Sequence, residues 1–276
     1  MKKILTALVA ILTSGILGLT AISNTKTVKA NENDTPVVTL GTSLTSSQKQ
    51  GTINTLTQSL NGSNYTTITI TGADLVKYLN PSGYDFTNNS GVWSSAMIQK
   101  TSSGSGINVH ILPYNGHNNI TTITANQYKN AALTAGISDA DIYVTSATPI
   151  DGSGALAGVY AAYAKNGNSL NQNQINAAQT EMNTLSKITS QNKGKDGYSD
   201  AQLNNAIAGA KKEMAKQGQN ISDSQIRDIV NNQININHLG DTITNNQKEQ
   251  IINVLIKIKN SRSEERRVGK ECKHRC

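Results

Sequence analysis

One stretch of this 276-residue sequence has the residue types and order of a binding loop. Pro149-Ile150-Asp151-Gly152-Ser153-Gly154-Ala155-Leu156-Ala157-Gly158 follows a strand-like run and opens a helical one. In an α/β arrangement this is where backbone N–H groups at a helix start can hold an anion. Asp151, Gly152, Ser153 and Gly154 are therefore the expected binding residues, with Asp151 and Ser153 supplying the polar side chains. The stretch has neither the lysine of a phosphate loop nor the full glycine pattern of a dinucleotide fold, so no cofactor is implied. Its continuation through Ala155, Ala157, Gly158, Ala161, Ala162 and Ala164 is rich in small residues, which favours a simpler role in letting a helix pack closely on a sheet.

Other chemistry is sparse. Outside the C-terminal tail the histidines are His110, His117 and His238. A metal pair needs a second ligand at helix or turn spacing, and none accompanies them, so no metal is expected. His110 alternates with Val109 and Ile111 and points away from the apolar side of a strand. Serines are abundant, but none sits in a nucleophile-elbow pattern. Asn192 to Leu203 resembles a calcium loop only superficially, because Gly194 and Leu203 stand where oxygen ligands are required. An enzymatic alternative, an envelope-acting hydrolase with its site near Gly104 or Asp151, requires groups among Asp85, His110, His117, Asp139, Asp141 and Asp151 to converge in a pocket.

The elements that must position these residues are marked chiefly by their starts. An apolar residue, then Ser, Thr or Asn, then Gln three positions on combines a hydrophobic staple with a capping box, which satisfies backbone donors left over at a helix start. It occurs at Thr45/Gln48, Thr124/Gln127, Asn171/Gln174, Ser199/Gln202, Ser222/Gln225 and Thr244/Gln247, with Thr71/Asp74 as a variant. The last three starts lie 23 and 22 residues apart, yet the helix interiors do not match, so we read a plain bundle of short helices rather than a repeat. Strand signals fall at 37–40, 65–70, 93–100, 107–112 and 141–145. The spacing predicts a hairpin between the third and fourth across Thr101 to Gly106, and helices over 45–60, 72–79, 125–135 and 153–165. Beyond Asn166-Gly167-Asn168 only helices follow, at 171–190, 199–217, 222–237 and 244–259. The fold class is α+β, with a mixed sheet and covering helices in residues 31–166 and an all-helical region in 167–261.

Charge lies mostly at the ends. The formal net charge is +7, but residues 1–30 contribute four lysines and no acid, and Arg262 to Cys276 six basic and three acidic residues. The intervening 31–261 holds 15 basic and 15 acidic residues, so nucleic-acid binding is not expected. Residues 1–30 have the charged start, apolar centre and small-residue ending of a secretory signal, with cleavage expected after Ala30. No other stretch is apolar enough to span a bilayer. Arg262 to Cys272 reads as the translation of a string resembling a common short-read sequencing adapter, and we assign 262–276 to that origin. Both cysteines, Cys272 and Cys276, lie there, which leaves a cysteine-free mature chain.

A family resemblance adds to this. Leu40 to Gln48, Ala96 to Ile111 around Gly104-Ser105-Gly106-Ile107, Tyr128 to Ile137, and Pro149 with Gly152, Ala155, Leu156 and Gly158 resemble the domain-of-unknown-function (DUF) 1002 family of exported proteins from Gram-positive bacteria. The resemblance covers about residues 36–259 and is most specific between Ala96 and Gly158. It implies export and a shared architecture, and brings no catalytic residue with it. The functional expectation is a secreted or cell-surface-associated binding or interaction module, more a binder than an enzyme, with a cell-wall or surface component as partner.

Overall fold

The structure, a computed structural model, describes residues 35–80, 85–218 and 220–273, with side chains described as far as Arg262. The expected signal segment, and the side chains of the expected adapter-derived segment beyond Arg262, lie outside the described residues. Five strands form one sheet in the order β2-β1-β3-β5-β4: β1 (Val37–Gly41), β2 (Thr66–Ile70), β3 (Ser94–Lys100), β4 (Ile107–Ile111) and β5 (Ala140–Ser146). β1 and β2 run parallel, as do β4 and β5, whereas β3 is antiparallel to both β1 and β5. The sheet is therefore mixed, as its alternation with helices implied.

The expected β3–β4 hairpin is not formed. β5 lies between the two strands, pairing with β3 from Ser94↔Ser146 to Lys100↔Ala140 and with β4 from Ile107↔Ala140 to Ile111↔Val144. β5 carries Ala140, Ile142 and Val144 buried on one side and Thr145 on the other, and such a strand is stable only with neighbours on both edges. The 101–106 loop bridges over its start, a span of about 10 Å. Asp139 fixes that loop by accepting from Gly104 N–H at 3.0 Å and Gly106 N–H at 2.9 Å.

Helices cover the sheet unequally. The outer face carries α1 (Ser46–Leu56), whose Leu56, with Leu60 and Leu44, packs on Val38, Leu40 and Met97. The inner face carries α2 (Gly72–Leu79), α3 (Ala125–Thr134) and α4 (Ser153–Lys165). There Leu75, Tyr128 and Leu156 join Val37, Ile98, Ile142 and Val144 in the main core. The remaining helices are α5 (Gln172–Asn192), α6 (Asp200–Gln217), α7 (Asp223–Ile236) and α8 (Asn245–Lys273). The capping boxes stand where the sequence placed them: Thr45/Gln48, Thr124/Gln127, Ser222/Gln225 and Thr244/Gln247 each make both reciprocal hydrogen bonds.

α5 has two apolar faces. Ile175, Ala178 and Met182 belong to the core over the sheet, while Ala177, Leu185 and Ile188 belong to the core of α6–α8. The change from mixed to all-helical structure near residue 166 thus falls just before a helix shared by both cores, and Asn31–Cys276 forms one compact unit. Among the described residues, no helix is long and apolar enough to cross a membrane.

Candidate functional site

The loop of Asp151, Gly152, Ser153 and Gly154 leads into α4, and protein side chains take two of the N–H groups an anion would use, those of Ser153 and Ala155. Asp151 accepts from Ser153 N–H at 3.0 Å and from its hydroxyl at 2.5 Å. Ser94 Oγ, on β3, accepts from Ala155 N–H at 2.9 Å. Gly152 sits at φ 104°, and its carbonyl accepts from the buried Tyr128 hydroxyl at 2.8 Å. The helix then crosses the sheet so closely that a Cβ on Gly158 would lie 2.3 Å from Thr39 Oγ1. Asp151 here plays the part of an N-cap carboxylate, and the small residues let α4 meet β1 and β3.

Four of the six candidate catalytic groups stand in separate places. Asp139 holds the 101–106 loop and borders a crevice of only about 10 Å³, which leaves no room for a substrate. His117 closes the Tyr114-Asn115-Gly116-His117 turn, whose central residues at φ 48° and 81° form the Asn-Gly hairpin turn that favours positive φ. Asp151 caps α4, and Asp85 is exposed. A cavity of about 270 Å³ between the end of α6 and α8 is lined by Met214, Ile221, Ile258, Lys259 and Arg262 among others, and by none of the six. Among the described residues, no group of three or more His, Cys, Asp or Glu is placed to hold a metal ion.

His110 and Asp141 do share a surface. On the outer face α1 covers β1 and parts of β3 and β5, and leaves the β4 corner open. There the register sets Gln99, Asp141 and Asn108 in one row and Met97, Tyr143 and His110 in the next. Asn108 Nδ2 donates to Asp141 Oδ1 at 2.9 Å, and the His110 ring stacks on Tyr143 at 4.9 Å between centroids, with 19° between planes. His110 and Asn108 are exposed; Tyr143 is half-buried against the α1 cluster. The result is a flat patch of stacked rings edged by amides and one carboxylate. Aromatic faces with polar groups at the rim suit a ligand that has both apolar faces and hydroxyls. Sequence reading had placed His110 outside the apolar face. It missed the patch because Asn108 and His110 meet Asp141 and Tyr143 only through strand pairing across 33 residues.

A second polar constellation is internal. Glu181 on α5 and Lys211 on α6 form a buried ion pair at 2.7 Å, with side-chain exposures of 0% and 9%. Lys211 Nζ also donates to Thr134 Oγ1 at 3.1 Å and to Asn130 O at 3.2 Å, both on α3, and the Thr134 hydroxyl donates to Glu181 Oε2 at 2.5 Å. Next to it Asn130 donates to Asn204 Oδ1 at 2.9 Å, and at the starts of α3 and α6 the Thr124 hydroxyl donates to Asp200 at 2.9 Å. This network ties the sheet layer to the helical half.

Burial pushes the Lys211 ammonium below its ordinary 10.5, with the Glu181 carboxylate opposing. Between that lowered value and 10.5 the unfolded chain binds a proton that the folded chain does not, so folding stability rises with pH across that window. Urea unfolding at a series of alkaline pH values is expected to show a rise in wild type that Lys211→Met lacks. Parallel profiles for the two proteins would contradict this assignment.

Residues 40–274 match the family described as "Protein of unknown function (DUF1002)", a span that includes part of the segment read above as adapter-derived. The chain is also similar to the uncharacterized protein YpuA of Bacillus subtilis (strain 168), at 31% identity over 226 residues, covering 82% of this chain and 72% of YpuA. No solved structure matches it. With most of the sheet, the α4 crossing and the helical half all inside the matched span, this chain belongs to the DUF1002 family, whose molecular function is unknown.

Proposed function

We propose that this is an exported protein, cleaved after Ala30, that acts at the cell surface by binding rather than by catalysis. Its contact surface is the open corner of the outer sheet face, with His110 and Tyr143 as the ring platform and Asn108, Asp141 and Gln99 at its rim. The observation that carries this reading is the patch itself: beside the part of the outer face that α1 covers, stacked rings and hydrogen-bonding side chains are left accessible together. The lack of net charge across residues 31–261 supports an uncharged, hydroxyl-rich cell-wall polymer over a nucleic acid. The signal-like residues 1–30 support export.

The test is to isolate the protein from culture fractions, read its N-terminus, and measure retention on purified cell wall. Asn31 should be the first residue. The double variant His110→Ala/Tyr143→Ala should bind wall about tenfold more weakly while keeping its fold, consistent with the loss of two ring contacts. Intracellular retention, or no wall binding by wild type, would overturn the proposal. Release of soluble wall fragments by wild type but not by His110→Ala would replace it with the hydrolase reading.

A further inference from the structure

The two edges of the sheet are treated differently. β4 carries His110 and has Pro113 one residue beyond Leu112, which follows its end. β2 has α2 and α4 packed on it, but among the described residues its edge carries no comparable device. Tyr65-Thr66-Thr67-Ile68-Thr69-Ile70 contains no charge and no proline, and its one-to-one register with β1 from Val37↔Thr66 to Gly41↔Ile70 leaves no bulge. Proteins ordinarily blunt an exposed edge with one of these devices, because unpaired N–H and C=O groups template further pairing.

The direction of the backbone groups follows from two bonds. Thr66 N–H donates to Pro36 O, and Ile70 O accepts from Thr42 N–H, each at 2.9 Å. In a parallel ladder one residue turns both its groups to the same neighbour and the next turns them away. Thr66, Ile68 and Ile70 therefore face β1, while Thr67 and Thr69 aim their N–H and C=O outward. Both threonines are exposed and lie on the outer face, whereas Ile68 is half-buried on the inner face beside the core. The outward run ends at Thr71, whose N–H is held by Asp74 at 2.8 Å as α2 begins.

This edge is complementary to itself. We propose that β2 pairs antiparallel with β2 of a second copy of this chain, about a two-fold axis through Ile68. Thr67 of each copy then faces Thr69 of the other as a hydrogen-bonded pair, so that both outward residues are satisfied. Ile68 meets Ile68 of the second copy in the closer, non-hydrogen-bonded position, extending the inner apolar surface across the axis. Because the strand is uncharged, the symmetric pairing brings no like charges together, and the two sheets join into one.

The register makes the test specific. The compact unit of residues 31–276, kept reduced because of Cys272 and Cys276, is measured by size-exclusion chromatography with light scattering over a wide concentration range. Wild type should move from monomer to dimer mass as concentration rises. Thr67→Pro removes an outward N–H and none that faces β1, and should weaken the dimer about tenfold. The variant T67K/T69E places Lys opposite Glu at both symmetric pairs and should dimerise at least as well as wild type. T67K/T69K places Lys opposite Lys and should stay monomeric. Circular dichroism confirms the fold of each, and if Thr67→Pro does not fold, the two charged variants decide. A wild type that is monomeric throughout, or equal dimerisation of the two charged variants, would overturn the proposal. Neither result bears on wall binding, which uses the opposite edge of the sheet.

Discussion

Lys211→Met is expected to lower the free energy of unfolding by about 3–5 kcal/mol, a large share of the roughly 5–15 kcal/mol available to a domain. The substitution leaves Glu181 fully buried with only the Thr134 hydroxyl to answer a carboxylate, and takes one partner each from Thr134 and the Asn130 carbonyl. An uncompensated buried charge is the costly state; the intact pair itself contributes little, because its attraction mostly offsets desolvation. The double variant Glu181→Leu/Lys211→Met should therefore recover most of the loss. Urea unfolding of the wild type, the two single variants and the double variant measures this directly. A loss below about 1 kcal/mol in Lys211→Met would show that water reaches the pair and that it behaves as a surface bridge. The loss should also appear as a single cooperative transition, because α3, α5 and α6 meet at this pair and α5 belongs to both cores.

Gly152→Ala should cost about 2–4 kcal/mol. Part arises in the backbone, since φ 104° lies in the region where a side chain is strained. The rest is steric: a Cβ there would lie 2.2 Å from the Tyr128 hydroxyl oxygen and 3.0 Å from Ile120 Cγ2. Tyr128→Phe alone should cost about 1 kcal/mol, because the Gly152 carbonyl loses one donor and keeps Leu156 N–H. In the Gly152→Ala background the same change removes the colliding atom, so it should be neutral or restorative. The expected coupling between the two sites is about 0.5–3 kcal/mol, and thermal or urea unfolding of the four proteins reads it. Costs that simply add would mean that α4 shifts away from Tyr128 and that the close approach is not what selects glycine.

Helix starts were legible because the forces that set them act over three residues. Thr124 and Gln127 satisfy one another's backbone donors wherever the chain goes next, and Ser222 with Gln225 does the same. The strands were legible as segments but not as pairs. Nothing near Thr101 to Gly106 signals that β5, more than thirty residues on, will lie between β3 and β4; that choice rests on the need of β5 for two covered edges. The Asp151–Gly154 loop was found at the right place, the start of α4 after β5. Its chemistry was decided by Ser94 and Tyr128, which arrive from elsewhere in the chain. The alternation of Asn108 with His110 and of Asp141 with Tyr143 is visible in the sequence, and only the register brings the two pairs onto one corner.

Helix ends were less legible than starts, since α1 stops at Leu56 rather than 60 and α8 runs to Lys273 rather than 259. By itself, then, the sequence determined the α+β class, the order of elements, the helix starts and the absence of a basic domain in residues 31–261. Each of these depends on short-range periodicity, capping or composition, which neighbouring residues settle among themselves. The tertiary structure decided that β5 separates β3 from β4, that Lys211 finds Glu181 across 30 residues, that Ser94 reaches the Ala155 N–H at the α4 start, and that β2 stands at one edge of the sheet. Those outcomes turn on which distant surfaces exclude water together, a competition that local sequence enters but does not resolve.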